Sequence, residues 1–144
     1  MKKFLKNLAI PILVGIIIGL IMMPFNDYQS LVKPAFAPPA IAFPIAWSIL
    51  YILMGISAYL VDKNSGNLDV YYFQLFFNAM WPIIFFVFKL RLLAFIWLLV
   101  LIVLVIIMIV RFYKINKGAG LLQIPYLLWL IFAAYLNLGT YLLN

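Results

Sequence analysis

Trp47, Tyr51, Gln74, Asn78, Trp81, Trp129 and Asn137 stand out in an otherwise aliphatic chain. An indole or a phenol offers a broad apolar face with one hydrogen-bonding atom at its edge. A carboxamide both donates and accepts but does not ionise. Such a set can cradle a flat ligand and orient it, but it holds none of the usual general bases. The rest of the composition agrees. The chain has no His and no Cys, and its acids are Asp27, Asp62 and Asp69, so Glu is missing too. That removes the usual general base, paired carboxylates and metal ligands. It also removes disulfides and thiolate chemistry. We expect no catalytic residue, no metal site and no required cofactor. Any reaction would borrow its reactivity from a bound molecule.

These residues need a scaffold, and the composition names its solvent. Of 144 residues, 69% are hydrophobic and 9% charged. A soluble domain this small could not hide so much apolar surface. Cutting at the charges leaves uncharged runs at Asn7 to Asn26, Pro34 to Val61, Val70 to Phe88, Leu92 to Val110 and Gly118 to Asn144. Each is long enough for one crossing of a bilayer, which takes about 20 residues. A β-barrel would alternate apolar and polar residues, and Leu98 to Val110 does not. The expected fold is therefore all-α: one integral membrane domain over residues 1–144, a five-transmembrane-helix bundle. Its helices should run near 5–23, 44–61, 68–88, 92–112 and 121–143.

The net charge of +7 reads as topology rather than nucleic-acid binding. With five spans, Lys2, Lys3, Lys6, Lys63, Arg111, Lys114 and Lys117 share one side. Lys33, Lys89 and Arg91 lie on the other. Basic residues are retained on the cytoplasmic side, so the N-terminus should be cytoplasmic and the C-terminus outside, in the plasma membrane.

Met1 to Leu20 resembles a signal peptide but lacks a small-x-small cleavage site, so it reads as a retained first helix. Gly15 and Gly19 form a GxxxG, expected to serve close packing within the bundle rather than a dimer face. The segment from Phe25 to Phe43 contains Pro34, Pro38 and Pro39, which fix φ and remove donors. Its apolar content argues for a proline-rich lid between the first two helices. Trp47, Tyr51, Met54 and Ala58 fall on one stripe of the second helix. Gln74, Asn78, Trp81 and Phe85 do so on the third. Amides at membrane depth are costly toward lipid, so they should face the bundle or a cavity. One can tie helices while another meets a ligand. Pro82 lacks an N–H and should disturb the helix at the level of Asn78. The fourth helix is almost pure Leu, Ile and Val, a scaffold turned largely to lipid. In the fifth, Tyr126, Trp129, Ala133, Leu136, Asn137 and Thr140 share a face, and small Ala133 allows close approach by a helix or a flat ligand.

Several blocks then match a known family. Lys33-Pro34-Ala35-Phe36-Ala37-Pro38-Pro39, Phe43-Pro44 and Trp47-Ser48-Ile49-Leu50-Tyr51 resemble the translocator proteins, also called tryptophan-rich sensory proteins or peripheral benzodiazepine receptors. So do Gln74-Leu75 with Asn78, Trp81 and Phe85-Phe86. So does Pro125-Tyr126-Leu127-x-Trp129 with Phe132-Ala133 and Leu136-Asn137. The resemblance implies a five-helix bundle, commonly a homodimer, that binds porphyrins such as protoporphyrin IX and isoquinoline- or benzodiazepine-type ligands. It implies a pocket closed by the first loop and lined by Tyr28, Pro38, Trp47, Tyr51, Asn78, Phe86, Trp129 and Ala133. To these we add Phe36 from the lid, and Gln74, Trp81 and Asn137 from the residue pattern. The expected function is a membrane receptor or sensor for a tetrapyrrole. The alternatives are light-dependent breakdown of protoporphyrin and tetrapyrrole transport. Ala35 and Phe36 stand where many relatives have tryptophans. No Lys or Arg follows Tyr141, so cholesterol is not the expected ligand.

Overall fold

The computed structural model describes all residues from Met1 to Asn144. It is all-helical. Helix α1 is Lys2–Met22, α2 Ala42–Asp62, α3 Asp69–Pro82, α4 Arg91–Ile115, α5 Lys117–Leu121 and α6 Ile124–Leu143. A π-turn at Ile83–Val87 extends α3. Five of the resulting helical stretches, with α5 and α6 taken as one, are long and apolar enough to cross a membrane. The protein is a multi-pass membrane protein in a lipid bilayer.

Helix α4 shows how the sequence builds the bundle. Its buried residues are Ala94, Leu98, Leu101, Val105, Met108 and Phe112. They recur at four, three, four, three and four residues, the spacing that keeps one seam turned toward neighbouring helices. α3 and α6 pack on that seam. The opposite face, with Val100, Val103, Ile107 and Val110, is exposed, which suits lipid. Trp97 steadies the α3 contact: its Nε1 donates to the Phe77 carbonyl at 2.8 Å, and its ring stacks on Phe77.

Helix α1 packs chiefly on α2. The closest approach is at Gly55, where a Cβ would lie 2.8 Å from Leu8 Cα. Nearby, Asn7 Nδ2 donates to Asp62 Oδ2 at 2.8 Å, joining α1 to the end of α2. Only Asn7 and Pro11 of α1 are buried; most of this helix faces outward.

Two elements differ from the single helices expected over 68–88 and 121–143. The third helix changes gauge just after Pro82. The Phe88 N–H donates to the Ile83 carbonyl, five residues back, at 3.0 Å. The wide turn begins directly after Pro82, which has no N–H to offer the Asn78 carbonyl four residues back. Consecutive Ile84, Phe85 and Phe86 are all buried as a result. The fifth span is broken at Leu122–Gln123, and Pro125 opens α6 where its missing N–H costs nothing. Asn116 caps the short α5 through its side chain.

The loop between α1 and α2 lies across the end of the bundle opposite the N-terminus. Asp27 Oδ2 accepts from Arg91 Nη2 at 2.6 Å and from Lys89 Nζ at 3.0 Å. Tyr135 donates to the Ala35 carbonyl. The Asn144 side chain pairs with both backbone groups of Val32. Pro34 sits on Gly139, where a Cβ would meet its ring at 2.6 Å. The loop is thus fastened to α4 and α6.

Burial alone would raise the Asp27 pKa, but hydrogen bonds from Arg91 and Lys89 outweigh it and hold the carboxyl below its ordinary value. A depressed carboxylate stabilises above its unfolded pKa, and the benefit is lost as pH falls through the folded one. The latch is therefore complete at neutral pH and lost on acidification below about pH 4. We expect Asp27→Asn to open the loop to limited proteolysis at pH 7 and to abolish the further loosening that acid produces in the parent protein. Equal cleavage of both proteins at pH 7 would refute the latch.

Candidate functional site

A cavity of about 620 Å³ opens beneath the loop, between α1, α2, α3 and α6. Its aromatic wall comes from α2 and α3. Trp47 and Tyr51, one turn apart, lie with ring centroids 5.5 Å apart. Trp81 stacks on Phe85 at 5.2 Å, and Phe86 meets Phe85 edge-on at 4.6 Å. Phe43 and Tyr28 close the loop end, their rings 4.8 Å apart. Ala133 leaves room on the α6 side, and Ile12, Ile16 and Leu20 of α1 supply an aliphatic wall.

The polar groups of this wall are already tied to one another. Tyr51 donates to Asn78 Oδ1 at 2.7 Å. Asn78 Nδ2 donates to Tyr126 Oη at 2.9 Å, and Tyr126 donates to Gln74 Oε1 at 2.7 Å. One chain of hydrogen bonds thus joins α2, α3 and α6. Higher up, Trp81 Nε1 donates to Asn137 Oδ1 at 3.0 Å, while Asn137 Nδ2 donates to the Arg91 carbonyl at 2.9 Å. These partners remove the penalty for placing Asn78 and Asn137 at membrane depth, while Gln74 Nε2 stays buried without one. They also leave the cavity few free donors. No side chain among those lining it carries a charge. The arrangement suits a flat, mostly apolar and uncharged body, held by stacking and shape.

Tyr28, Trp47, Tyr51, Asn78, Trp81, Phe86, Ala133 and Asn137 all line this cavity. Gln74 does not: it is fully buried one turn below, where it ties α3 to α6. Trp129 stands behind the wall, edge-on to Trp47 at 6.4 Å and to Phe43 at 5.9 Å. Pro38 is likewise off the wall; its carbonyl accepts the Tyr28 hydroxyl. Phe36 corrects the expectation of a stacking lid residue. It is 89% exposed, with φ 68°, and so turns away from the bundle at a tight bend. Burial pushes the Tyr28 hydroxyl pKa up, so that group remains a donor to Pro38.

Sequence reasoning missed the share of α1. Gly15 and Gly19 both line the cavity, but in different ways. A Cβ on Gly15 would lie 2.6 Å from the Tyr51 ring, whereas one on Gly19 would meet nothing within 4 Å. Their GxxxG spacing was the available signal; only its first glycine is a packing contact. Gly15→Ala should therefore displace Tyr51 from Asn78 and lower thermal stability by about 1 kcal/mol. Gly19→Leu should keep the melting temperature within a degree or two while filling the cavity and weakening ligand binding at least tenfold. A paired melting and binding measurement on the two variants checks this contrast.

Comparison with known proteins follows the same outline. The TspO/MBR family model matches residues 7–142. The chain is 35% identical to the tryptophan-rich sensory protein of Cereibacter sphaeroides over 88% of its length and 82% of the relative's. It is 33% identical to the tryptophan-rich protein TspO of Chlorobaculum tepidum, over 100% of this chain and 99% of that one. It is 35% identical to the Homo sapiens translocator protein, over 76% of this chain and 70% of that one. On the match along nearly its whole length, on top of the five-span fold, the chain belongs to the TspO/MBR family.

Proposed function

We propose that the protein is a receptor or sensor in the plasma membrane that binds porphyrins, protoporphyrin IX first among them, in the cavity under the loop. The same cavity would accept isoquinoline- and benzodiazepine-type ligands. The observation that carries this reading is a space of about 620 Å³ walled by Trp47, Tyr51, Trp81, Phe85 and Phe86, with its amides already paired. Its volume falls in the range of drug-sized ligand sites, about 300–1,000 Å³. The names of the relatives, sensory and translocator proteins, fit a receptor for small ligands. Titrating protoporphyrin IX into purified protein and following tryptophan fluorescence tests it. Saturable quenching is expected, and linear quenching equal to that of free tryptophan in the same detergent would overturn it.

One observation favours a second reading, light-dependent porphyrin breakdown. Trp47 sits among Tyr51, Tyr126 and Trp129, each ring centroid within 6.4 Å of its own. Such a cluster can exchange electrons with an excited pigment. Loss of porphyrin absorbance only in light, and faster than in detergent alone, separates this from simple binding. Transport has less support, because the cavity holds no acid or base to couple to an ion gradient.

The distribution of basic residues supports a cytoplasmic N-terminus and an external C-terminus. The homodimer rests on the family resemblance, and light scattering in detergent tests it.

A further inference from the structure

Beside the cavity, on the loop face of the bundle, is a groove of about 550 Å³ lined by Lys89, Arg91, Tyr141, Leu142 and Asn144. Its residues touch those of the cavity at three points. The Arg91 guanidinium lies over the Phe85 ring, 5.0 Å from its centroid. The Arg91 carbonyl accepts from Asn137. The Thr140 carbonyl accepts from Asn144 Nδ2. Phe85, Asn137 and Thr140 all line the cavity.

Lys89 and Arg91 converge on one carboxylate, and on one oxygen of it, Asp27 Oδ2. No other carboxylate lies within 4.0 Å of either cation, so the two share one direct counter-ion. Arg91 Nε and Asp27 Oδ1 are both buried without a partner within the chain, so the pair is held through one oxygen rather than bidentately and the guanidinium is not saturated. Lys89 adds a separate sign. Its φ is 56°, a left-handed conformation that glycine or asparagine adopts at lower cost. A lysine kept there at the expense of backbone strain points to a use for its charge.

We propose that this groove is an oxyanion subsite for the acidic tail of a ligand whose apolar body occupies the cavity. The cavity accepts a flat uncharged body, and the groove beside it accepts a carboxylate. Together they select an amphipathic acid over a neutral molecule of the same shape. The proposal rests on the binding function given above, and the test separates the two.

Protoporphyrin IX and its dimethyl ester differ only in the charge of their tails. Both are titrated into the full-length protein and into Lys89→Asn, in maltoside micelles, by tryptophan quenching. Asparagine tolerates the left-handed backbone, Lys89 is half exposed, and Arg91 still holds Asp27 at 2.6 Å, so this variant keeps the fold and the loop latch. Unchanged ester binding by the variant confirms that. The parent protein is expected to prefer the acid over the ester about three- to fivefold, within the range of a partly exposed ion pair. That preference should shrink in 1 M salt and vanish in Lys89→Asn. Equal affinity of acid and ester for the parent protein overturns the subsite while leaving the receptor reading intact. Failure of both compounds to bind overturns the receptor reading itself. If acid and ester bind alike while added phosphatidylglycerol stabilises the parent protein but not Lys89→Asn, the groove holds a lipid headgroup. The assignment to a cavity ligand is then wrong.

Discussion

Replacing Asn78 with leucine is expected to cost about 2–3 kcal/mol of stability and to abolish porphyrin binding. The size follows from what the amide holds. It accepts from Tyr51 and donates to Tyr126, so leucine breaks the hydrogen-bond chain between α2, α3 and α6 at its middle. Each interhelical bond in a bilayer contributes about 0.6 kcal/mol, up to about 1.7, and the two phenols would be left buried with a partner missing. Tyr51 would then be free to turn into the cavity it now lines. Gln74→Leu provides the contrast. It strands Tyr126 and should cost about 1 kcal/mol, yet Gln74 is off the cavity wall, so ligand affinity should stay within about twofold. Thermal melts and quenching titrations on both variants check the pair. Equal losses of affinity would mean that Asn78 acts on the ligand only through bundle stability.

The second large effect is expected at Trp47. Its indole is part of the cavity wall and is the hub of the aromatic group formed with Tyr51, Tyr126 and Trp129. Trp47→Ala removes a stacking face and should weaken protoporphyrin binding by more than tenfold, in keeping with central aromatic anchors. Trp129→Ala acts through Trp47 and Phe43, which lean on it. A loss of about two- to threefold is expected. The double variant should fall close to Trp47→Ala alone, because the support matters only while the supported ring is present. Absorbance or isothermal titration is the better measurement, since both variants remove a fluorophore. An unchanged affinity in the double variant would remove the site from this part of the bundle.

The spans were readable because each signal was local. Charges bracket uncharged runs, and α4 shows its buried seam as an unbroken spacing of apolar residues. The stripe from Gln74 through Asn78 to Trp81 was equally plain; both amides tie helices, and Asn78 and Trp81 also line the cavity while Gln74 does not. What the sequence did not carry was the third dimension at particular places. Phe36 resembles a lid residue until its backbone angle turns it outward. Trp129 and Pro38 match family positions but stand one layer back from the cavity. The contribution of α1 was hidden because aliphatic residues facing a cavity and facing lipid look alike. Gly55, which sets the α1–α2 approach, was one small residue among many. The Lys89–Arg91–Asp27 cluster joins residues that are far apart in the chain, so no local pattern announces it.

The wide turn after Pro82 bears on how relatives should be compared. A π-turn holds one residue more than the regular helix would use for the same rise. Residues before it, such as Gln74 and Asn78, therefore keep their face whatever the turn does, and the turn rephases only the end of the rod, Ile83 to Phe88. A chain lacking a single residue between 83 and 87 could run through as plain α-helix to the turn before α4 and leave the amide stripe where it is. A gap placed here in an alignment marks a change of helical gauge, while the same gap three turns earlier would rotate the whole amide stripe toward lipid. Swapping segments between family members should respect that boundary and join before Pro82 or after Phe88, never inside the turn.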